Sequence, residues 1–351
     1  MKKRERAAFF CCLILATASA VGISAVSVSA QAQVSVSEKV ASAINTYYLG
    51  GEFEKGTNVA KDLLKQPKLT STDSVAIYEA LSLFTFGQGK SYFEKSIAYL
   101  ETMAKIGPCV LPVPREPWPT KLSDQWYKIT QAKGLLSCSD KSSANIKTVA
   151  VMEFDNYSVG KYQTELGLLS KGLADWFAID FGKLSDLHVV ERSKINFVLK
   201  EIKLNQSDKV DAATAVKAGK LLGAQFMIFG SITQLDSKHT RMSVRVVKVE
   251  TSEIVATVDK EGSPDYSKLE KGLVEQLAQK LQITVSDKAR GLIQQGGTSS
   301  IESQQFYSRG IDAADNYDWK NAYAFFKKAY DADNSFLEAK KRMDIYKPLA
   351  G

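Results

Sequence analysis

The chain has 351 residues, of which 44% are hydrophobic and 24% charged, with a formal net charge of +7. That length suits about two or three domains, and the balance is that of a soluble globular protein. The charge is mild and no dense Lys/Arg cluster occurs, so nucleic acid is not expected as a partner.

The first 32 residues read as a secretory signal. Lys2, Lys3, Arg4 and Arg6 precede an apolar run from Ala7 to near Val28, and Ala30-Gln31-Ala32 forms an A-x-A cleavage site. Val28-Ser29-Ala30 is a second candidate site, and an uncleaved anchor is the alternative reading of the run. Cleavage would remove four basic residues and Glu5, lowering the net charge from +7 to +4. Cys11 and Cys12 follow Ala8, Phe9 and Phe10, whereas a lipoprotein signal places small residues before its cysteine; lipidation is not expected. No later apolar run is long enough to span a bilayer as a helix. Cys109 and Cys138 remain in the exported chain, and an oxidising compartment favours a disulfide between them. Such a bridge would close a loop of about 30 residues and contribute about 3–4 kcal/mol. Two separate buried thiols are the alternative.

Residues 33–138 carry a helical pattern. Val40, Ala43, Ile44, Tyr47 and Tyr48 recur at helix spacing and stop at Gly50-Gly51. A second helix carries Phe53, Ala60, Leu63 and Leu64 before Pro67. The unit recurs over 74–86 and 92–106, ending at Gly107-Pro108. A period of about 40 residues resembles degenerate tetratricopeptide repeats, with Phe93, Leu100, Met103 and Pro108 at packing positions. Gly87-Gln88-Gly89-Lys90-Ser91 mimics the end of a phosphate-binding loop. It lacks a glycine at Phe84 and a preceding strand, so an inter-helix turn is expected. Residues 107–120 hold five prolines and should run extended, with Trp118 anchoring them to a helix; 122–135 is a short helix. Residues 139–146 read as a linker.

The central segment, 147–283, opens with a buried strand at 147–155 and a polar loop at 156–163. A helix over 164–184 presents Leu166, Leu169, Leu173, Trp176 and Phe177 on one stripe. A short strand at 187–190 and a helix at 193–203 follow, then a helix capped by Asp211 and ending at Gly223. Three strand-like runs at 226–235, 240–250 and 253–259 form an antiparallel meander. A last amphipathic helix covers 266–281. The segments VAVMEFDN, GLLSKGLADWFA, HVVERSKINFVLKEIKL, AGKLLGAQFMIFGSIT and VRVVKVETSEIV resemble the CsgG family of curli-secretion proteins, to which TolB amino-terminal and FlgO-like domains are related. Glu191-Arg192-Ser193, Leu222-Gly223-Ala224 and Gly230-Ser231 are the most specific parts. The fold implied is an α/β (α+β) CsgG-like domain, a mixed sheet with packed helices, flanked by all-α tetratricopeptide-like repeats. Glu191 and Arg192 are expected in an ion pair or cap, and Gly223 and Gly230 as backbone requirements. Relatives usually have Gly where Ser252 stands, so a positive φ there would cost a serine.

Residues 284–302 are rich in Ser, Gly and Gln and read as a flexible linker. In 303–351, Phe306, Gly310, Ala322, Phe326 and Ala329 match the tetratricopeptide pattern, with a capping helix over 336–346. One repeat buries too little to stand alone, so it should dock on the central domain, the N-terminal repeats or another subunit.

No catalytic residue set, cofactor site or metal site is expected. His188 and His239 are the only histidines, and no metal-ligand spacing, nucleophile elbow or paired-carboxylate cluster occurs. The expectation is a non-catalytic periplasmic scaffold with protein partners, acting in envelope assembly or secretion. Homo-oligomerisation and outer-membrane association stay open. The alternatives are an outer-membrane channel subunit of the curli type, or a regulator of a cell-wall synthase, since a related periplasmic fold activates one. In pore-forming relatives one hairpin is inserted after the Gly-Ser strand. The four residues from Asp236 to His239 leave no room for it.

Overall fold

A computed structural model describes residues 34–110, 117–136, 146–202 and 212–351. The signal, Cys138, the linker at 139–145 and Asp211 lie outside the described residues. Five helices precede the sheet: α1 (Val36–Ala43), which runs into a π-turn at Ile44–Tyr48, α2 (Phe53–Leu64), α3 (Ser71–Gly87), α4 (Phe93–Ile106) and α5 (Thr120–Ala132). Thr70 and Asp73 form a capping box that starts α3. That helix buries apolar and small residues, and Glu79, along most of its length at the centre of this layer. The Gly87–Ser91 stretch joins α3 to α4, so a helix and not a strand precedes it. Trp118 does anchor its segment: its indole N–H donates to Glu79 of α3 at 3.0 Å.

The central segment contributes β1 (Lys147–Val151), β2 (Asp155–Asn156), α6 (Lys161–Glu165), α7 (Leu169–Phe181), β3 (Leu187–Val189), α8 (Arg192–Glu201), α9 (Ala212–Leu222), β4 (Phe226–Gln234), β5 (Thr240–Lys248), β6 (Ile254–Gly262) and α10 (Tyr266–Lys280). The described strands form a mixed sheet in the order β3-β1-β4-β5-β6, with β2 beside the far end of β4. β1 is parallel to β3 and β4, and the meander β4-β5-β6 is antiparallel. One helix was expected over 164–184. The chain instead breaks between α6 and α7, around Gly167, and part of the expected polar loop pairs with β4 as β2.

Alternation along the strands sends side chains to two separate cores. Val149, Val151, Ile228, Ile232, Met242, Val244 and Val246 pack against Leu173, Phe177 and Phe181 of α7 and Leu269, Leu273 and Leu277 of α10. Ala150, Met152 and Met227 point the other way, against α8, α9 and the N-terminal helices through Ile195, Val198, Leu222, Trp126 and Tyr127.

The C-terminal third holds α11 (Asp287–Gln295), α12 (Ile301–Asp315), α13 (Trp319–Ala332) and α14 (Leu337–Tyr346). Residues 284–302, expected as a flexible joint, therefore contain a helix. Ser286 caps α11 by accepting from Ala289 N, and Ile293 is fully buried in the first core. Tyr307, Ile311, Phe326 and Phe336 belong to that same core, so the C-terminal helices dock on their own central segment. Gly172 of α7 permits the close approach, because a Cβ there would lie 2.1 Å from the Ser308 hydroxyl of α12. Residues Val36–Gly351 form one compact unit.

Candidate interaction surface

Arg192, the first residue of α8, does not face solvent or a cleft. Its guanidinium donates to both carboxylate oxygens of Asp315, at 3.1 and 2.5 Å, and to Glu153 at 3.2 Å. Beside it the Lys171 ammonium lies 2.6 Å from Asp312 and 3.9 Å from Asp315. Asp175 accepts from Arg342 of α14 at 3.1 Å and from the Tyr307 hydroxyl at 2.5 Å. The expected ion pair at Glu191-Arg192 is thus a seam between central and C-terminal helices. Burial works against the Arg192 charge, but Asp315, Glu153 and Asp175 together raise its pKa above the usual value. Burial also raises the Glu153 carboxyl, with Arg192 and Lys171 opposing it. The arrangement locks two helical modules in register and presents no free nucleophile or acid to solvent.

A second buried set joins α7 and α10. Glu270 is buried beside Asp180, whose carboxylate is 2.6 Å from the Lys183 ammonium. Burial, then the neighbouring Asp180, push the Glu270 carboxyl well above its usual range, so it carries the proton of the pair. Lys271 donates to the carbonyls of Gln294, at 3.0 Å, and Gly296, which ties α10 to the end of α11.

The surface left open is one face of the meander. Arg241, Arg245, Thr257, Asp259 and Glu261 are exposed there, with Phe229, Ser231, Thr233 and Ser243 half-buried between them. Antiparallel strands with one solvated face alternate in this way. Arg245 lies over the Phe229 ring at 5.1 Å, and Arg241 pairs with Asp259 at 3.3 Å and Glu261 at 3.5 Å. Tyr157, Leu235 and Ile254 stand exposed around it, Ile254 on the edge strand β6. The turn that borders this face is tight: Leu235 N donates to His239 O, and Asp236 accepts from the backbone of Lys238 and His239 and from the imidazole of His239. Those hydrogen bonds hold the Asp236 carboxyl below its usual pKa.

The other residues singled out from sequence fall as follows. His188 is exposed on β3. Gly230 is a packing requirement, since a Cβ there would lie 2.2 Å from the Phe154 ring. Gly223 adopts φ +70° at the end of α9, and Ser252 adopts φ +65°, the strained turn foreseen for a serine. Cys109 is disulfide-bonded; Cys138 lies outside the described residues. Among the described residues no group of three or more His, Cys, Asp or Glu side chains is placed to hold a metal ion. Among them, too, no helix is long and apolar enough to cross a membrane. The seam partners Asp312, Asp315 and Arg342 escaped sequence reasoning. For Asp312 and Asp315 the signal was charge at i and i+3 on a face of α12 that otherwise packs.

Residues 131–244 match the model of the family described as "Curli production assembly/transport component CsgG". The match starts at the end of α5 and ends within β5, so it bears out the resemblance for the central segment and leaves the flanking helices uncovered. Among solved structures, the chain is similar to the LpoB C-terminal domain from Salmonella enterica, at 16% identity over 38% of this chain and 89% of that one, TM-score 0.25. It is also similar to lipoprotein GNA1162 from Neisseria meningitidis, at 14% identity over 38% of this chain and 99% of that one, TM-score 0.29. A comparison with curated proteins finds no match.

Proposed function

We propose that the chain is a non-catalytic protein of the cell envelope, exported to the periplasm, where it acts as a scaffold in envelope assembly or secretion. The observation that carries this reading is where the charged chemistry sits. The buried Asp175 and the half-buried Arg192, Glu153 and Asp315 are spent on fastening helices to the sheet, and the open face of β4–β6 offers an arginine stacked on an aromatic ring between hydroxyl and carboxylate groups. Mixed surfaces of that kind, with Arg and aromatic anchors, suit protein recognition. The CsgG family match over 131–244 and the secretory signal support the envelope setting.

The short connections favour a soluble scaffold over a channel subunit. β4 ends at Gln234 and β5 starts at Thr240, while β6 ends at Gly262 and α10 starts at Tyr266. Neither gap has room for a pair of membrane-spanning strands, which need about 9–11 residues each. Osmotic shock of expressing cells tests the reading. The protein should appear in the periplasmic extract without detergent. Recovery only from detergent-solubilised outer membrane, with conductance in planar bilayers, would contradict it.

A further inference from the structure

A surface cleft of about 480 Å³ opens where the first turns of α10 face the loop between α11 and α12 and the turn before α14. Its walls are fixed from within. Lys271 holds the carbonyls of Gln294 and Gly296, and the Thr298 hydroxyl donates to Asp333, which also accepts from Ser335 N at 2.9 Å and Ser335 Oγ at 2.6 Å. A pocket held rigid before any ligand arrives loses less entropy on binding.

The rim carries three ammonium groups, Lys260, Lys268 and Lys271, and three carboxylates, Asp265, Glu275 and Asp333. The two sets differ in what they already touch. Asp265 accepts from Lys268 N at 3.0 Å, Glu275 accepts from Gln294 Nε2 at 3.2 Å, and Asp333 is bound as above. Lys271 is engaged by carbonyls. The ammonium groups of Lys260 and Lys268, in contrast, make no hydrogen bond or ion pair with any described residue. Ser267 also lines the cleft, is only 8% exposed, and its hydroxyl has no partner there. Gly272, in the middle of α10, leaves the space in which the Lys260 ammonium lies; a Cβ at 272 would stand 2.0 Å from Lys260 Nζ.

The ammonium groups of Lys260 and Lys268 and the nearly buried Ser267 hydroxyl are donors without acceptors, whereas the three carboxylates already accept from neutral donors; the free donors suit an anion with several acceptor oxygens. A carboxylate would balance only one of the lysines, whereas a phosphate monoester carries a charge of about −1.5 to −2 near neutral pH. We infer that this cleft binds a phosphate monoester, with Lys260 and Lys268 as its counter-charges and the Ser267 hydroxyl as a donor. The inference does not depend on the scaffold reading.

The same group could arrive as a soluble ester or as a lipid headgroup, and two arms separate them. In the first, glycerol 1-phosphate is titrated into the exported chain at constant ionic strength and followed by ³¹P line width. In the second, the protein is sedimented with phosphatidylcholine vesicles with and without phosphatidic acid. Binding in the first arm that weakens about tenfold in Lys260→Gln/Lys268→Gln and about threefold in Ser267→Ala supports a soluble ester. Co-sedimentation that needs phosphatidic acid and is lost in the double variant, without glycerol 1-phosphate binding, supports a headgroup. Lys320→Gln, on exposed α13, is the control and should change neither arm. No binding in either arm, or binding that the double variant retains, overturns the inference.

Discussion

The two helical layers that cover the sheet are attached by a different balance of apolar packing and charge. On the N-terminal side, α5 meets α8 through the Tyr127 and Phe197 rings, 5.7 Å apart, a neutral hydrogen bond of 2.9 Å between the Tyr127 and Ser193 hydroxyls, and one long ion pair of 3.8 Å between Asp124 and the exposed Lys200. On the C-terminal side, aromatic packing of Trp176, Tyr307 and Phe336 is joined to the seam of Arg192, Lys171 and Arg342 with their carboxylates. Apolar packing is tolerant of small shifts, whereas paired buried charges demand one register. The C-terminal helices are thereby committed to a single position on the sheet.

Breaking the seam should have the largest effect. Arg192→Met strands Glu153 and Asp315 and should cost about 3–5 kcal/mol in urea unfolding. Tyr127→Phe, on the opposite layer, should cost only about 1 kcal/mol. Equal losses would erase the contrast between the layers. Next comes the close approach of α7 and α12. Gly172→Ala should cost about 1–3 kcal/mol, and Ser308→Gly should recover part of that in the double variant, because the clash is between those two residues.

The buried acid pair gives an effect of opposite sign. The Glu270 pKa is raised in the folded chain, so the unfolded chain gives up this proton first. Stability from this group is fully present below its unfolded pKa and is lost as pH rises through its folded pKa. Glu270→Gln keeps the donor without the titration, so it should stabilise by on the order of 1 kcal/mol at pH 7.5. The difference should vanish towards pH 4, and a gain that is independent of pH would contradict the assignment. The smallest effect lies in the meander. Ser252→Gly should raise stability by about 0.5–1 kcal/mol by relieving its positive φ, without moving the strand register.

Much of this was legible because local rules and burial agreed. The meander runs were bounded by turn residues, and the four residues from Asp236 to His239 close as the side chain of an aspartate there allows. At Ser252 the sequence points to a cost only if the turn needs a positive φ, and the turn adopts one. Other features depend on distant partners. α11 has only Ala289 and Ile293 buried, too few to outweigh its polar composition until α10 and Lys271 are placed beside it. The pairing of β2 is set by the distant strand β4, through Ser231 and Ile232, which no local pattern at 156–168 encodes. Arg192 could be flagged, but its partner Asp315 lies 123 positions away. Long-range ion pairs leave no periodic trace in a single sequence.

The central claim is that the C-terminal helices are an integral layer of the sheet domain. Native-state hydrogen exchange on residues 33–351 tests it most directly. Amides of α12 and α13 should open with the same free energy as those of β4 and β5, and Arg192→Met should lower the α12 and α13 values first. Exchange of α12 and α13 through an opening of much lower free energy than that of the sheet in the unaltered chain would contradict it.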